Sequence, residues 1–204
     1  MPLFDALLFD FDGVLADTEP DHWVCWREML ATIGIPLEWD YYRDRCIGLP
    51  DDAMLRMMAG ECDPPRDVGD LWQLYPAKQK LFQQKTLGAP PFAPELAGLL
   101  ERLHQEYKMA VVTACIREEI EPLLKAGGLR GYFDSMVCAG EAARHKPAPD
   151  PYLLAAERLG ARTALVLEDS EAGMASGRAA GFEVLQIRNP KEMPRQLLNR
   201  LGLE

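Results

Sequence analysis

Two aspartates set two residues apart, Asp10 and Asp12, close an apolar run that begins at Leu7 and are followed at once by Gly13. The six residues from Leu7 to Asp12 contain neither Gly nor Pro and are rich in Leu and Phe, so they read as a short strand buried on both faces. Gly13 and the polar residues after it end that strand. Residues two apart on a strand point to the same side, which aims both carboxylates into one site at the strand's carboxyl end. Two buried like charges are costly without a compensating cation. A divalent metal is the natural compensator, and hard oxygen ligands favour Mg²⁺. Taken singly, either Asp is equally readable as a surface cap or turn residue.

Three further stretches end apolar runs on reactive groups. Val111-Val112 leads into Thr113 and Ala114, whose hydroxyl and backbone N–H can both donate to a phosphoryl oxygen, although Thr is also an ordinary strand residue. In His145-Lys146-Pro147-Ala148-Pro149-Asp150-Pro151, Pro147 keeps Lys146 out of helical geometry and Asp150-Pro151 opens a helix. An ammonium on such a stiff turn is a point charge suited to phosphate, with a solvated lysine as the plain alternative. Leu165-Val166-Leu167 ends on Glu168-Asp169-Ser170. Adjacent strand side chains point opposite ways, so one of the two carboxylates is expected to ligate a metal directly, and Ser170 is a helix N-cap.

The elements that must position these groups alternate. From Glu95 onward the pattern predicts helix 95–106, strand 109–113, helix 118–126, strand 136–139, helix 151–159, strand 164–167, helix 171–180, strand 183–187 and a C-terminal helix. Glycines close three of these helices, at Gly127-Gly128, Gly160 and Gly181. That order implies an α/β fold, a parallel sheet with helices on both faces, whose ligands bind beyond the carboxyl ends of the strands. Residues 19 to about 86 show helical periodicity only. One helix there carries Trp23, Trp26, Leu30 and Ile33; others start near Glu38 and Pro50; a fourth begins near Asp67 and is interrupted at Pro76. The expected organisation is a Rossmann-like core from residues 1–17 and 88–204 and an inserted all-helical cap, residues 18–87. The linkers at Val14–Thr18 and Gly88–Pro94 would permit the cap to open and close.

Composition narrows the function classes. The chain has 204 residues, 48% hydrophobic and 26% charged, with a net charge of −10. That is too acidic to track a nucleic-acid backbone, so no nucleic-acid partner is expected. No apolar run reaches the ~18 residues of a membrane span, and no signal region opens the chain. Five scattered cysteines without a C-x-x-C pair suit a reduced, cytoplasmic protein. Oligomeric state is not legible.

Asp10-Phe11-Asp12-Gly13-Val14-Leu15, with Asp17-Thr18-Glu19 after it, resembles the first motif of the haloacid dehalogenase-like phosphatases. Within them it is similar to the branch holding β-phosphoglucomutase and phosphoglycolate phosphatase. The strand ending at Thr113, the Lys146-Pro-x-Pro-Asp turn and the Glu168-Asp169 pair resemble the family's other three motifs, in order. The resemblance implies that Asp10 is the nucleophile and that Asp12 is the acid and base. It also implies Mg²⁺ held by Asp10, Asp169 and the Asp12 carbonyl, with Glu168 bound through water or to Lys146. Thr113, Ala114 and Lys146 would bind the phosphoryl group, and His22 matches a cap histidine that meets the acid/base Asp.

The implied activity is Mg²⁺-dependent hydrolysis of a small phosphorylated metabolite, such as a sugar phosphate, through an aspartyl-phosphate. A sugar phosphomutase is the alternative, and a non-catalytic binding protein is disfavoured because the catalytic positions are filled. A mutase needs a cation for a second phosphate. Where that branch carries an Arg, this chain has Asp51, followed by Asp52, two carboxylates expected to repel it. Arg117, Arg43 and Arg45 are possible substitutes, each also readable as a solvated arginine.

Overall fold

The opening apolar run becomes the middle strand of the sheet. In the computed structural model, which describes residues 3–203, β1 is Ala6–Phe9, β2 Lys108–Val112, β3 Ser135–Val137, β4 Ala164–Glu168 and β5 Glu183–Gln186. All neighbours pair in parallel, in the order β3-β2-β1-β4-β5. Helices α6 (Leu96–His104), α7 (Arg117–Ala126), α8 (Asp150–Leu159), α9 (Glu171–Ala179) and α10 (Met193–Leu201) alternate with or follow these strands. The order runs outward from β1 to β3 on one side and then restarts at β4 on the other. The switch point of this α/β sheet, where ligands bind, is therefore the carboxyl end of β1.

β1 stops earlier than the run of residues suggests. Beyond Asp10 the backbone leaves the ladder: the Leu15 and Ala16 amides both donate to the Phe11 carbonyl, and Gly13 N–H donates to the Ala16 carbonyl. Gly13 sits at φ +75°, where a side chain is strained. Asp12 is thus placed by a turn and not by strand alternation, which corrects the expectation above.

Alternation does govern the strands themselves. Ala6 and Leu8, Ala110 and Val112, and Ala164 and Val166 share one face with Tyr152, Ala155 and Leu159 of α8. Phe9 is level with Leu167 in the register, so Asp10 and Glu168 continue that face just past the core. Every residue of β1 and β4 is buried, as strands covered by helices on both sides must be.

The chain divides into two units, one formed up to Asp17 and from Pro90 onward, the other by Thr18–Ala89. The second is helical: α1 (Glu19–Ala31), α2 (Trp39–Arg45), α3 (Asp51–Glu61), α4 (Val68–Trp72) and α5 (Tyr75–Thr86), with no strand among its residues. Trp26, Leu30, Leu37, Met54, Leu55 and Leu71 fill its core. The break expected at Pro76 falls earlier. Pro76 lies in the first turn of α5, where its missing N–H costs nothing, so it begins a helix and does not interrupt one.

Candidate active site

Three strand ends supply most of the site. Asp10 follows β1, and its amide donates to the Leu167 carbonyl at 3.0 Å. Thr113 follows β2, with its amide on the Val137 carbonyl at 2.9 Å. Glu168 ends β4 and Asp169 follows it. Lys146 comes from the turn before α8 and is only 7% exposed. Its ammonium donates to Asp10 Oδ1 at 2.6 Å, Glu168 Oε1 at 2.6 Å and the Val112 carbonyl at 3.0 Å. An ammonium has three protons, and these acceptors match them. No proton of the Lys146 ammonium is left without an acceptor.

Glu168 is fully buried and its two oxygens are saturated. Oε1 accepts from Lys146 and from the Tyr152 hydroxyl at 2.7 Å. Oε2 accepts from the Asp169 amide, the Ser170 amide and the Ser170 hydroxyl. Ser170 also caps α9 as expected, its Oγ accepting from the Gly173 amide at 3.0 Å. Tyr152 was not identified from sequence. A tyrosine among the apolar positions of α8 was the available signal, because a buried phenol needs a partner.

Two glycines make room for these carboxylates. A Cβ on Gly173 would run into the Glu168 carboxyl, and one on Gly13 into that of Asp169. Gly13 is needed a second time for its positive φ.

Asp10, Glu168 and Asp169 each offer an oxygen within 4.8 Å of the others. Burial, then Glu168, raise the Asp10 carboxyl well above its ordinary range, with the Lys146 charge opposing them. Burial, Glu168 and Asp12 push Asp169 up to about 7. One ammonium against four carboxylates leaves the cluster short of positive charge, and its donors are oxygens. The residues present therefore fit a hard divalent cation.

Asp12 is half-buried, and its Oδ2 accepts from the Cys115 thiol at 3.3 Å. Thr113 Oγ1 accepts from the Cys115 amide at 3.0 Å, which leaves the hydroxyl proton to donate, and Ala114 lies between them. Arg117 is directed elsewhere: its guanidinium engages Glu141 Oε1 at 2.7 Å and the Met136 carbonyl at 3.1 Å.

His22 belongs to the helical unit, where its ring stacks on Phe82 with centroids 4.1 Å apart. Burial and the Lys78 charge hold its pKa well below the usual value, so it is neutral there. The two carboxylates expected to repel a second phosphate are paired. Asp51 Oδ2 meets the fully buried Lys78 ammonium at 3.0 Å, Asp51 Oδ1 accepts from Trp26 Nε1 at 2.7 Å, and Asp52 lies 3.6 Å from Arg56. Arg43 pairs with Asp40 and Asp44, and Arg45 with Glu61.

A family model described as haloacid dehalogenase-like hydrolase matches residues 7–187. The fructose-1-phosphate phosphatase YqaB of Escherichia coli K12 is 33% identical over 187 residues, spanning 91% of this chain and 97% of that protein. A phosphorylated carbohydrates phosphatase of Thermotoga maritima is 30% identical over 185 residues, 88% of this chain and 82% of its own. Among solved structures, CbbY from Rhodobacter sphaeroides in complex with phosphate superimposes with a TM-score of 0.77 at 26% identity. That match covers 89% of this chain and 85% of the other.

Proposed function

Because the chain belongs to the haloacid dehalogenase-like hydrolase family, we propose that it is a phosphoric monoester hydrolase that cleaves a small sugar phosphate through an aspartyl-phosphate on Asp10. The observation that carries this reading is the placement of Asp10 at the switch point, bonded to Lys146 at 2.6 Å and grouped with Glu168 and Asp169. The sugar-phosphate part draws on the names of the two curated relatives.

The residues divide the work as follows. Asp10 must be ionised to attack phosphorus in line, and Lys146 offsets the burial and neighbouring carboxylates that oppose its ionisation. Asp12 gives a proton to the departing sugar oxygen, so that a poor alkoxide leaves as an alcohol, and later takes a proton from the hydrolytic water. The Thr113 hydroxyl and the Ala114 amide donate to phosphoryl oxygens. Asp10, Asp169 and the Asp12 carbonyl would hold Mg²⁺, with Glu168 behind them. When bound, the ion neutralises charge developing on the transferred phosphoryl group. The helical unit is assigned the role of a cap that selects the leaving group. His22 is assigned as a substrate contact on the family resemblance alone.

The mutase alternative needs a cation for a second phosphate, and Arg117 is engaged by Glu141. The pairing of Asp51 with Lys78 also removes the bare-charge repulsion that counted against a mutase, so kinetics must separate the two.

The test is phosphate release from a panel of sugar phosphates with and without Mg²⁺, for the unsubstituted protein and Asp10→Asn. Metal-dependent release that vanishes in Asp10→Asn is expected. Interconversion of hexose phosphates only after priming with a bisphosphate would replace the hydrolase reading with the mutase one.

A further inference from the structure

We propose that Cys115 is a positioning residue for Asp12, its thiol orienting the carboxylate that serves as acid and base. The inference rests on the phosphatase reading above and extends it to a residue that this reading leaves without a role. Its observation is the hydrogen bond from Cys115 Sγ to Asp12 Oδ2 at 3.3 Å, between residues 103 apart in the chain.

The thiol is delivered by a fixed backbone. The Cys115 amide donates to Thr113 Oγ1 at 3.0 Å, and its carbonyl accepts from the Ala139 amide at 2.9 Å. Cys115 is thus tied both to the loop after β2 and to the loop after β3. Asp12 lies in the Gly13 turn past the end of β1, and the thiol bond engages one oxygen of its carboxylate.

The test exploits the leaving group. A hexose phosphate releases an alkoxide that must be protonated, whereas p-nitrophenyl phosphate releases a stable phenolate that need not be. Because kcat/KM reports the steps through expulsion of that group, it isolates the acid role of Asp12. Cys115→Ala is expected to lose at least about tenfold in kcat/KM on the hexose phosphate and to stay within about twofold on the aryl ester. Cys115→Ser, which keeps a donor at the same place, is expected to restore the alkyl activity. Equal losses on both esters, or no loss on either, would overturn the positioning role. Absence of Mg²⁺-dependent turnover of both esters by the unsubstituted protein would overturn the phosphatase reading itself, and this inference with it.

Discussion

Lys146 Nζ stands 2.6 Å from Glu168 Oε1, with the carboxylate fully buried and the ammonium 7% exposed. The same ammonium holds Asp10 at 2.6 Å, so one charge serves two carboxylates. Burial disfavours that charge, but Asp10 and Glu168 outweigh it and hold the Lys146 pKa above its ordinary value. Removing it strands both partners. Lys146→Ala should abolish turnover and cost about 3–5 kcal/mol of stability, the scale for breaking a buried pair from one side. Denaturant unfolding of the two proteins checks this; an unchanged midpoint would mean that the pair carries little of the core's stability.

Tyr152→Phe removes only the hydroxyl that donates to Glu168 Oε1 at 2.7 Å. The ring still fills its place between α8 and the sheet, so the loss is that of one hydrogen bond to a charged acceptor. A decrease of about 1.5–3 kcal/mol is expected, read as a lower urea midpoint with an unchanged slope. A change in slope would point instead to altered packing or to a third state.

Glycine substitutions separate site geometry from backbone cost. Gly173→Ala places a Cβ against the Glu168 carboxyl and should reduce Mg²⁺-dependent activity sharply, because Glu168 and its Lys146 partner must move together. Gly128→Ala is the control. Gly128 also needs a positive φ, +71°, but a Cβ there meets nothing within 4 Å. It should cost about 1–2 kcal/mol of stability and leave kcat unchanged. Similar kinetics for the two variants would contradict the packing described around Glu168.

The carboxylate cluster gives stability a pH dependence with a definite sign. The pKa of Asp169 is raised in the folded protein, from 3.8 to about 7, by burial, Glu168 and Asp12. A carboxyl raised on folding contributes stability below its unfolded pKa and loses that contribution as pH rises through the folded value. With chelator present, the cluster should therefore lower Tm as pH climbs from 3.8 towards about 7. Mg²⁺ binds the ionised form, so it should raise Tm most at the upper end of that window. Thermal scans with EDTA and with Mg²⁺ across the window check both signs. A metal effect that is largest at acid pH would contradict this account.

Much of the fold was legible because its signals are local. Apolar runs ending at Phe9, Val112 and Leu167 mark strands, and Gly160 terminates its helix in the left-handed conformation as a glycine after an apolar stripe should. Asp10, Thr113, Glu168 and Asp169 could be chosen together because each closes such a run. The features that the sequence does not display depend on tertiary register. Nothing near Tyr152 announces that its hydroxyl reaches Glu168, 16 residues away across α8 and β4. Nor does anything near Asp51 show that its charge is met by Lys78, 27 residues on. The spacing of Asp12 places it on a strand, whereas local turn hydrogen bonds to Phe11 and Ala16 decide its position.

The most direct test asks whether Asp10 carries phosphate during turnover. The protein, in excess over a hexose phosphate and Mg²⁺, is quenched in acid at short times, and the peptide holding Asp10 is weighed by mass spectrometry. A phosphoryl adduct on Asp10 that forms and decays with phosphate release, and that is missing from Asp10→Asn and from the chelated protein, is the expected result. Phosphate release at an undiminished rate from Asp10→Asn, with no adduct at any time, would contradict the assignment of Asp10 as nucleophile.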